Sequence, residues 1–398
     1  MTTVSRTVSA PDPLVSSVPA SKRYLAVDLL RGLTLAFMIL VNDNGNERAF
    51  GILKHSAWNG FTPTDLVFPT FLFLVGASIV FSTESRLSRG VTRASLLAHT
   101  LRRAVIIFLL GLVVNSAPFF NFSTMRFYGV LPRIALCYLI VGTLYILIRK
   151  PGDSAAGQPT IADKVALLVA CLAGYWLLMR FLPVPGFGLP GRDIPLLDPD
   201  RNIVAWVDRH IFSAQHLYER VRDPEGLLST IPAIGTTLLG TLTGLYLRGK
   251  NSDTRKALMI AVAGLVCVLL GWAWDPWFPI NKKLWTSSFV LFAGGWSLLA
   301  LSIFWYLVQV KSWRRGNWVL LVFGMNAITS YVLSEVMASS LSSVRVGADS
   351  NLLRWTAERI AGFISSPPWA SLAYSLLYVL VCWLIMWPLY RKKIFIKI

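Results

Sequence analysis

An all-α, polytopic membrane protein is what this sequence predicts, and three observations predict it. The chain has 398 residues, 55% hydrophobic and only 15% charged, with 15 Trp and 22 Phe. That balance leaves too little polar surface for a soluble domain of this size. Apolar runs of roughly 17–25 residues, the length that crosses a bilayer, recur from one end to the other. The connections between them alternate between basic and acidic character, the mark of a chain threaded repeatedly through a membrane.

The runs fall at 25–41, 64–82, 104–118, 130–148, 165–182, 228–247, 257–274, 286–308, 318–338 and 369–389, which makes about ten transmembrane helices. Residues 1–21, rich in Ser, Thr, Val and Pro, lack the basic start and continuous apolar run of a cleavable signal peptide, and read as a disordered cytoplasmic tail. Residues 22–398 then form a single transmembrane domain.

The formal net charge is +18, and its distribution decides between a membrane and a nucleic acid as its cause. With the N-terminus in the cytoplasm, Lys and Arg concentrate in the inner segments 83–103, 149–164, 248–256, 309–317 and 390–398, while most acidic residues fall on the outer side. This is the positive-inside asymmetry and gives no nucleic-acid patch. An even number of spans puts both termini in the cytoplasm.

The four cysteines, Cys137, Cys171, Cys267 and Cys382, lie inside predicted spans without metal-type or CxxC spacing, as packing residues do. One outer connection, 183–227, is long and carries Pro, Gly, Asp and two histidines, which suits a lid or a substrate-binding surface. The chain shows no internal repeat of the kind many secondary transporters carry.

Residues 24–82 concentrate polar groups where lipid excludes them. Asp28, Arg31 and Leu35 share one face of the first helix, and Asn42 returns to that face about three turns beyond Arg31. An ionisable residue inside a membrane ordinarily faces a cavity. The plainer alternative is an Asp28–Arg31 pair near the cytoplasmic surface, with the arginine snorkelling. After this helix, Lys54-His55-Ser56-Ala57-Trp58-Asn59-Gly60 leads through Thr62-Pro63-Thr64-Asp65 into the second. A histidine titrates near neutrality, and a carboxylate can fix its tautomer, so His55 and Asp65 make a general base if the loop folds back. A histidine in a loop is otherwise a surface residue.

Other motifs carry less. His99 sits with Arg102 and Arg103 in a basic segment, where the plain expectation is solvation and the functional one is phosphate binding. His210 and His216 match no common zinc spacing. Gly186-Phe187-Gly188-Leu189-Pro190-Gly191 satisfies GxGxxG, but lies in a Pro-rich outer loop with no strand before it or helix after it, so it is no dinucleotide site. Asn121-Phe122-Ser123 is a glycosylation acceptor only in a eukaryotic secretory host.

The order Asp28-Leu29-Leu30-Arg31-Gly32-Leu33, Leu40-Val41-Asn42, His55-Ser56-Ala57-Trp58-Asn59-Gly60 and Asp65-Leu66-Val67-Phe68-Pro69 resembles the heparan-α-glucosaminide N-acetyltransferase family. The resemblance continues through Gly129-Val130-Leu131-Pro132-Arg133-Ile134, Asp223-Pro224-Glu225-Gly226, Asn281-Lys282-Lys283-Leu284-Trp285, Gly324-Met325-Asn326 and Tyr390-Arg391-Lys392-Lys393-Ile394-Phe395. It implies acetyl transfer from cytoplasmic acetyl-CoA, as co-substrate and without a metal, to an amino sugar on the other side. It also implies a bacterial inner-membrane form without the luminal domain of animal members, and it admits a homo-oligomer. Where those animal members have a His-Glu pair on a late helix, this chain has Ser334-Glu335.

On that resemblance His55 is the catalytic histidine, Asn42 the asparagine beside it, and Asp65 the group that orients the ring. Arg31, Arg391, Lys392 and Lys393 supply positive charge for the phosphates of CoA, whose pantetheine arm runs along the polar stripe of the first helix. The matched segments put Trp58, Asn59, Asp223, Glu225 and Lys282 forward for acceptor binding. His55 either takes a proton from the attacking amine or takes the acetyl group itself. The rival from another class is an amino-sugar or oligosaccharide permease, which the same helices would suit. The plainest rival is a structural membrane subunit.

Overall fold

Helices are obligatory here, because in hydrocarbon every backbone N–H and C=O must be satisfied within its own segment. The computed structural model describes residues 24–45, 48–148, 161–347 and 350–396. The tail expected at 1–21 lies outside the described residues.

Thirteen α-helices follow one another: α1 (Leu25–Asn42), α2 (Val67–Leu87), α3 (Arg93–Ser116), α4 (Val130–Ile148), α5 (Ile161–Phe181), α6 (Ile203–Ile211), α7 (Thr230–Arg248), α8 (Asp253–Trp274), α9 (Ser287–Trp305), α10 (Asn317–Gly324), α11 (Ala327–Ser343), α12 (Leu352–Ala361) and α13 (Pro367–Arg391). Among the described residues, 9 helices are long and apolar enough to cross a membrane. A tenth span is formed if the α10–α11 pair, bent by 75°, counts as one. The only paired strands there, Arg345–Val346 and Ser350–Asn351, form a small antiparallel ribbon between α11 and α12.

Two of the expected spans differ in the structure. The third begins at Arg93, not near residue 104: Thr92 caps its first turn by accepting a hydrogen bond from Ser95 N. Its basic first turns are therefore helical and carry His99, Arg102 and Arg103 on a fixed frame. The span at 318–338 is broken between Gly324 and Ala327. The Asn326 side chain there donates to Ile394 O and accepts from Ile396 N, so the residue at the break holds the backbone of the C-terminal segment.

Small residues let the central helices touch backbone to backbone. A Cβ at Gly76 would stand 1.9 Å from Thr237 O, and one at Gly240 1.9 Å from Phe73 O, so α2 and α7 meet at van der Waals distance. Gly32 of α1 meets Leu320 of α10, and Gly324 meets Asp28, in the same way. Gly240→Ala should therefore push α7 off α2 and lower stability by about 1–3 kcal/mol, read as a lower unfolding temperature in detergent; an unchanged temperature would show that the contact yields freely. Apolar side chains on α3 (Leu101, Val105, Leu109, Val113) and α8 (Leu258, Val262, Leu265, Leu269) are exposed, facing outward as lipid contact requires.

The long segment 183–227 is folded. Tyr175, Met179, Val184, Ile194, Leu197, Ile203, Val204, Phe278 and Leu284 form a second apolar core under it. The glycine-rich stretch makes a turn closed by the Val184–Gly188 bridge. His210 stacks on Trp206 and contacts its carbonyl at 2.7 Å, and His216 contacts Met125 O at 2.7 Å. Both histidines have structural partners.

Candidate active site

The loop between α1 and α2 is shaped by one turn of 3-10 helix, Pro63–Leu66. Thr62 caps it, with Pro63 in the first turn and the Asp65 carboxylate returned to the Thr62 N–H. That box fixes Asp65, which is 0% exposed. Its Oδ2 accepts from Ser56 N, Thr62 N and Thr62 Oγ1 at 3.2, 3.0 and 3.2 Å, which leaves Oδ1 for His55 Nδ1 at 2.7 Å. A carboxylate so placed accepts a hydrogen bond from Nδ1–H, so Nε2 carries the free lone pair. The His55 side chain is 42% exposed, while its partner is buried.

The loop between α8 and α9 docks onto the same segment. Gly60 N donates to Ile280 O at 2.8 Å, and Asn281 Nδ2 to Asn59 Oδ1 at 3.0 Å. This brings Lys282 Nζ to 3.1 Å from both ring nitrogens of His55 and to 4.0 Å from Asp65 Oδ1. Trp58 Nε1 donates to Leu197 O at 2.8 Å, and the Arg222 guanidinium sits 4.7 Å from the Trp58 ring, so Trp58 ties the long outer segment down.

Asp223 and Glu225 meet a partner the sequence did not announce. Arg126 holds Asp223 through Nε and Nη2 at 2.7 and 2.5 Å, and holds Glu225 through Nη2. Its guanidinium also lies 4.7 Å from the Tyr218 ring. Burial raises the Glu225 pKa, but the charges of Arg126 and Arg133 outweigh it and hold the group below the usual carboxylate range. Nearby, burial pushes Asp208 up to about 7 despite backbone N–H groups from Asp223 and Leu227. A Cβ at Gly226 would stand 2.3 Å from Asp208 Oδ2, so Gly226→Ala should loosen this cluster and lower activity together with thermal stability. Full stability in that variant would count against the packing described.

At the other end of α1, Arg31 does not simply snorkel. It bonds Asp28 Oδ1 at 2.9 Å, Ser78 Oγ on α2 at 2.9 Å and Gly324 O on α10 at 3.4 Å. It also lines a cavity of about 490 Å³ with Arg86, His99, Arg102 and Arg103. Arg103 Nε is buried there without a hydrogen-bond partner, and its guanidinium lies 4.9 Å from the Tyr138 ring. Of the four cationic residues singled out for CoA, only Arg31 lines this cavity. Arg391, Lys392 and Lys393 are exposed or part-exposed at the end of α13, and it is Ile396 that reaches the cavity wall.

The polar stripe expected along α1 is interrupted. Between Arg31 and Asn42 the face presents Met38, which with Phe68, Phe71, Ile134, Ile328 and Tyr331 lines a narrow apolar space of about 10 Å³. Phe71, Ile134 and Ile328 line both that space and the large cavity, so the two are neighbours separated by these side chains. Asn42 lies beyond it. Its amide donates to Glu335 Oε1 at 3.5 Å, a partner on α11 that sequence reasoning did not assign to the site. Beside it Asp43 is pushed up to about 8 by burial and by the charge of Glu335. Among the described residues, no group of three or more His, Cys, Asp or Glu side chains is placed to hold a metal ion.

Residues 23–180 match the family model described as heparan-alpha-glucosaminide N-acetyltransferase, catalytic. The human heparan-alpha-glucosaminide N-acetyltransferase is 29% identical over 441 aligned positions, covering 98% of this chain and 63% of the human protein. The mouse protein of the same name is 30% identical, over 95% of this chain and 61% of the mouse one. The chain thus spans about three fifths of the length of these relatives. By these matches the chain is similar to heparan-alpha-glucosaminide N-acetyltransferases over most of its own length.

Proposed function

We propose that the protein is a transmembrane acetyltransferase that moves acetyl from acetyl-CoA in the cytoplasm to the amine of an amino sugar on the opposite side of the membrane, in a bacterial inner membrane. The observation that carries this reading is an alignment within one helix group. An arginine-rich cavity lies at one end of α1, a His–Asp pair lies beyond the other end, and a narrow apolar space neighbours the cavity on the way between them.

Each part suits one part of the donor. Guanidinium groups bind phosphate oxygens in bidentate fashion, and Arg31, Arg86, Arg102 and Arg103 with the unpartnered Arg103 Nε provide them. Phe71, Ile134, Ile328 and Met38 suit an uncharged pantetheine arm. His55 then takes a proton from the attacking amine through Nε2, while Asp65 keeps the ring in the tautomer that can do so. Asn42 marks the end of α1. Trp58, Asn59, Asp223 and Glu225 act by shaping the mouth, since their polar atoms are engaged with the protein.

The test is purified protein with labelled acetyl-CoA and a panel of amino sugars. Acetylated sugar and free CoA are expected; sugar uptake into vesicles without CoA release would establish the permease instead. Sidedness is read separately: reporter fusions after residues 90, 200 and 398 should score inside, outside and inside. A reversed score at 200 would put His55 on the cytoplasmic face. Arg102→Ala with Arg103→Ala should weaken donor binding about tenfold or more, and more than the triple alanine variant of Arg391, Lys392 and Lys393. The opposite ranking would move the phosphate site to the C-terminal basic triplet.

A further inference from the structure

Lys282 stands closer to His55 than acceptor binding alone requires. Its Nζ is 3.1 Å from Nδ1 and 3.1 Å from Nε2. A point in the plane of the imidazole cannot meet both distances without colliding with the carbon between the nitrogens or with the far edge of the ring. Nζ therefore lies over the ring face. The nitrogen lone pairs lie in the ring plane, so this is a cation held against a π face and not a hydrogen bond. The carboxylate oxygen of Asp65 at 4.0 Å is beyond hydrogen-bond length as well. The N–H donors of Lys282 are thus not consumed by the two groups it faces.

The position is built into the backbone. Asp275 Oδ1 accepts from Ile280 N at 2.6 Å, Asn281 Oδ1 accepts from Leu284 N at 2.9 Å, and Trp285, 1% exposed, closes the turn with a φ of 52°. The two bonds to Asn59 and Gly60 described above then lock this turn to the histidine loop. Burial depresses the Lys282 pKa, and the carboxylates of Asp65 and Glu225 oppose that shift.

We propose that Lys282 is a catalytic residue whose ammonium donates a hydrogen bond to the oxyanion formed when the acceptor amine adds to the acetyl carbonyl. The inference rests on the acetyltransferase reading and deepens it. The amine nitrogen forms a bond to the carbonyl carbon, the C=O π pair moves onto oxygen, and the N–H proton passes to His55 Nε2. Collapse restores C=O and breaks the C–S bond; the CoA thiolate takes the proton from the imidazolium, and the amide is left on the sugar. The attacking nitrogen must lie within hydrogen-bond reach of Nε2, and the oxyanion is two bonds from that nitrogen. A cation 3.1 Å from Nε2 and off the ring plane is within reach of both, and it stands over the ring where the amine does not approach.

The experiment is steady-state kinetics of Lys282→Met and Lys282→Arg with acetyl-CoA and glucosamine, with acetyl-CoA affinity measured separately. Loss of one oxyanion donor lowers kcat by about 10²- to 10³-fold. That loss is expected for Lys282→Met with acceptor KM and donor affinity within a few-fold, and Lys282→Arg should recover part of it. A raised acceptor KM at unchanged kcat, or no change in either, would overturn the proposal. If Lys282→Met does not fold, as judged by lost donor binding, Lys282→Gln decides. It keeps a neutral donor, so a reduced kcat supports the charged donor and an unchanged kcat removes it. Wild-type protein that releases no CoA from acetyl-CoA with any acceptor would fail the parent reading instead, and the proposal with it.

Discussion

His55→Ala is expected to lower acetyl transfer by about 10²- to 10⁴-fold while acetyl-CoA binds within a few-fold of wild type. The imidazole acts where the amine loses its proton, whereas the donor's phosphates are assigned to the opposite end of α1. Transfer at the normal rate would remove His55 from the chemistry and leave the family likeness as a statement about fold. Asp65→Asn tests the orienting group, with a complication that the geometry makes explicit. Oδ2 accepts from two backbone N–H groups and a hydroxyl. An amide nitrogen turned toward them would face donors, and one turned toward His55 would face the Nδ1 proton. The variant should therefore lose rate and also loosen the loop, seen as faster proteolysis between Lys54 and Thr62. A rate loss without any loosening would assign Asp65 to the chemistry alone.

The second large effect is on stability. Arg126→Ala removes the shared partner of Asp223 and Glu225, whose side chains are 0% and 11% exposed. Removing one member of a buried ion cluster leaves charge without compensation, which costs about 3–5 kcal/mol. The outer segment over α6 should unfold first, because Arg126 joins it to the start of α4. The sign with pH follows from Glu225. Its pKa is lowered in the folded protein, so its contribution is full above the unfolded carboxylate value and is lost as pH falls through the folded one. Wild type should therefore lose this increment on acidification. Arg126→Ala should lack it, its deficit shrinking as the carboxylates protonate. Glu225→Gln placed in the Arg126→Ala background should restore part of the stability near neutral pH. Stability within 1 kcal/mol of wild type for Arg126→Ala would show that the cluster contributes little net energy.

The helices were legible because hydrocarbon imposes one solution on a long apolar run, and the runs were unbroken enough to count. The same reasoning misplaced the start of α3. Arg93, Arg102 and Arg103 lowered the local hydropathy, although a helix extends past the hydrocarbon when its first turn is capped and its charges face a cavity. The bend between α10 and α11 was hidden because both halves are apolar, and the contacts that mark it are long-range bonds from the Asn326 side chain to the C-terminal segment.

Within the site, the His55–Asp65 pair could be read from the chain. The two residues lie in one loop, and Thr62-x-x-Asp65 with Pro63 is a local capping signal that needs no distant partner. Arg86, Arg126 and Glu335 were not read as members, and His99, Arg102 and Arg103 were offered for phosphate only as the alternative to solvation. Each acts through residues far along the chain, and in sequence each looks like a basic anchor or an ordinary polar residue of a helix. The sequence alone determined the membrane-spanning helices and the pairing of His55 with Asp65, since apolar run length and short-range hydrogen bonding are local properties. Only the tertiary structure decided which cations face the cavity, what interrupts the α1 stripe, and that Lys282 lies over His55. Those depend on how loops and helix faces meet, and that is set by close packing across the whole bundle.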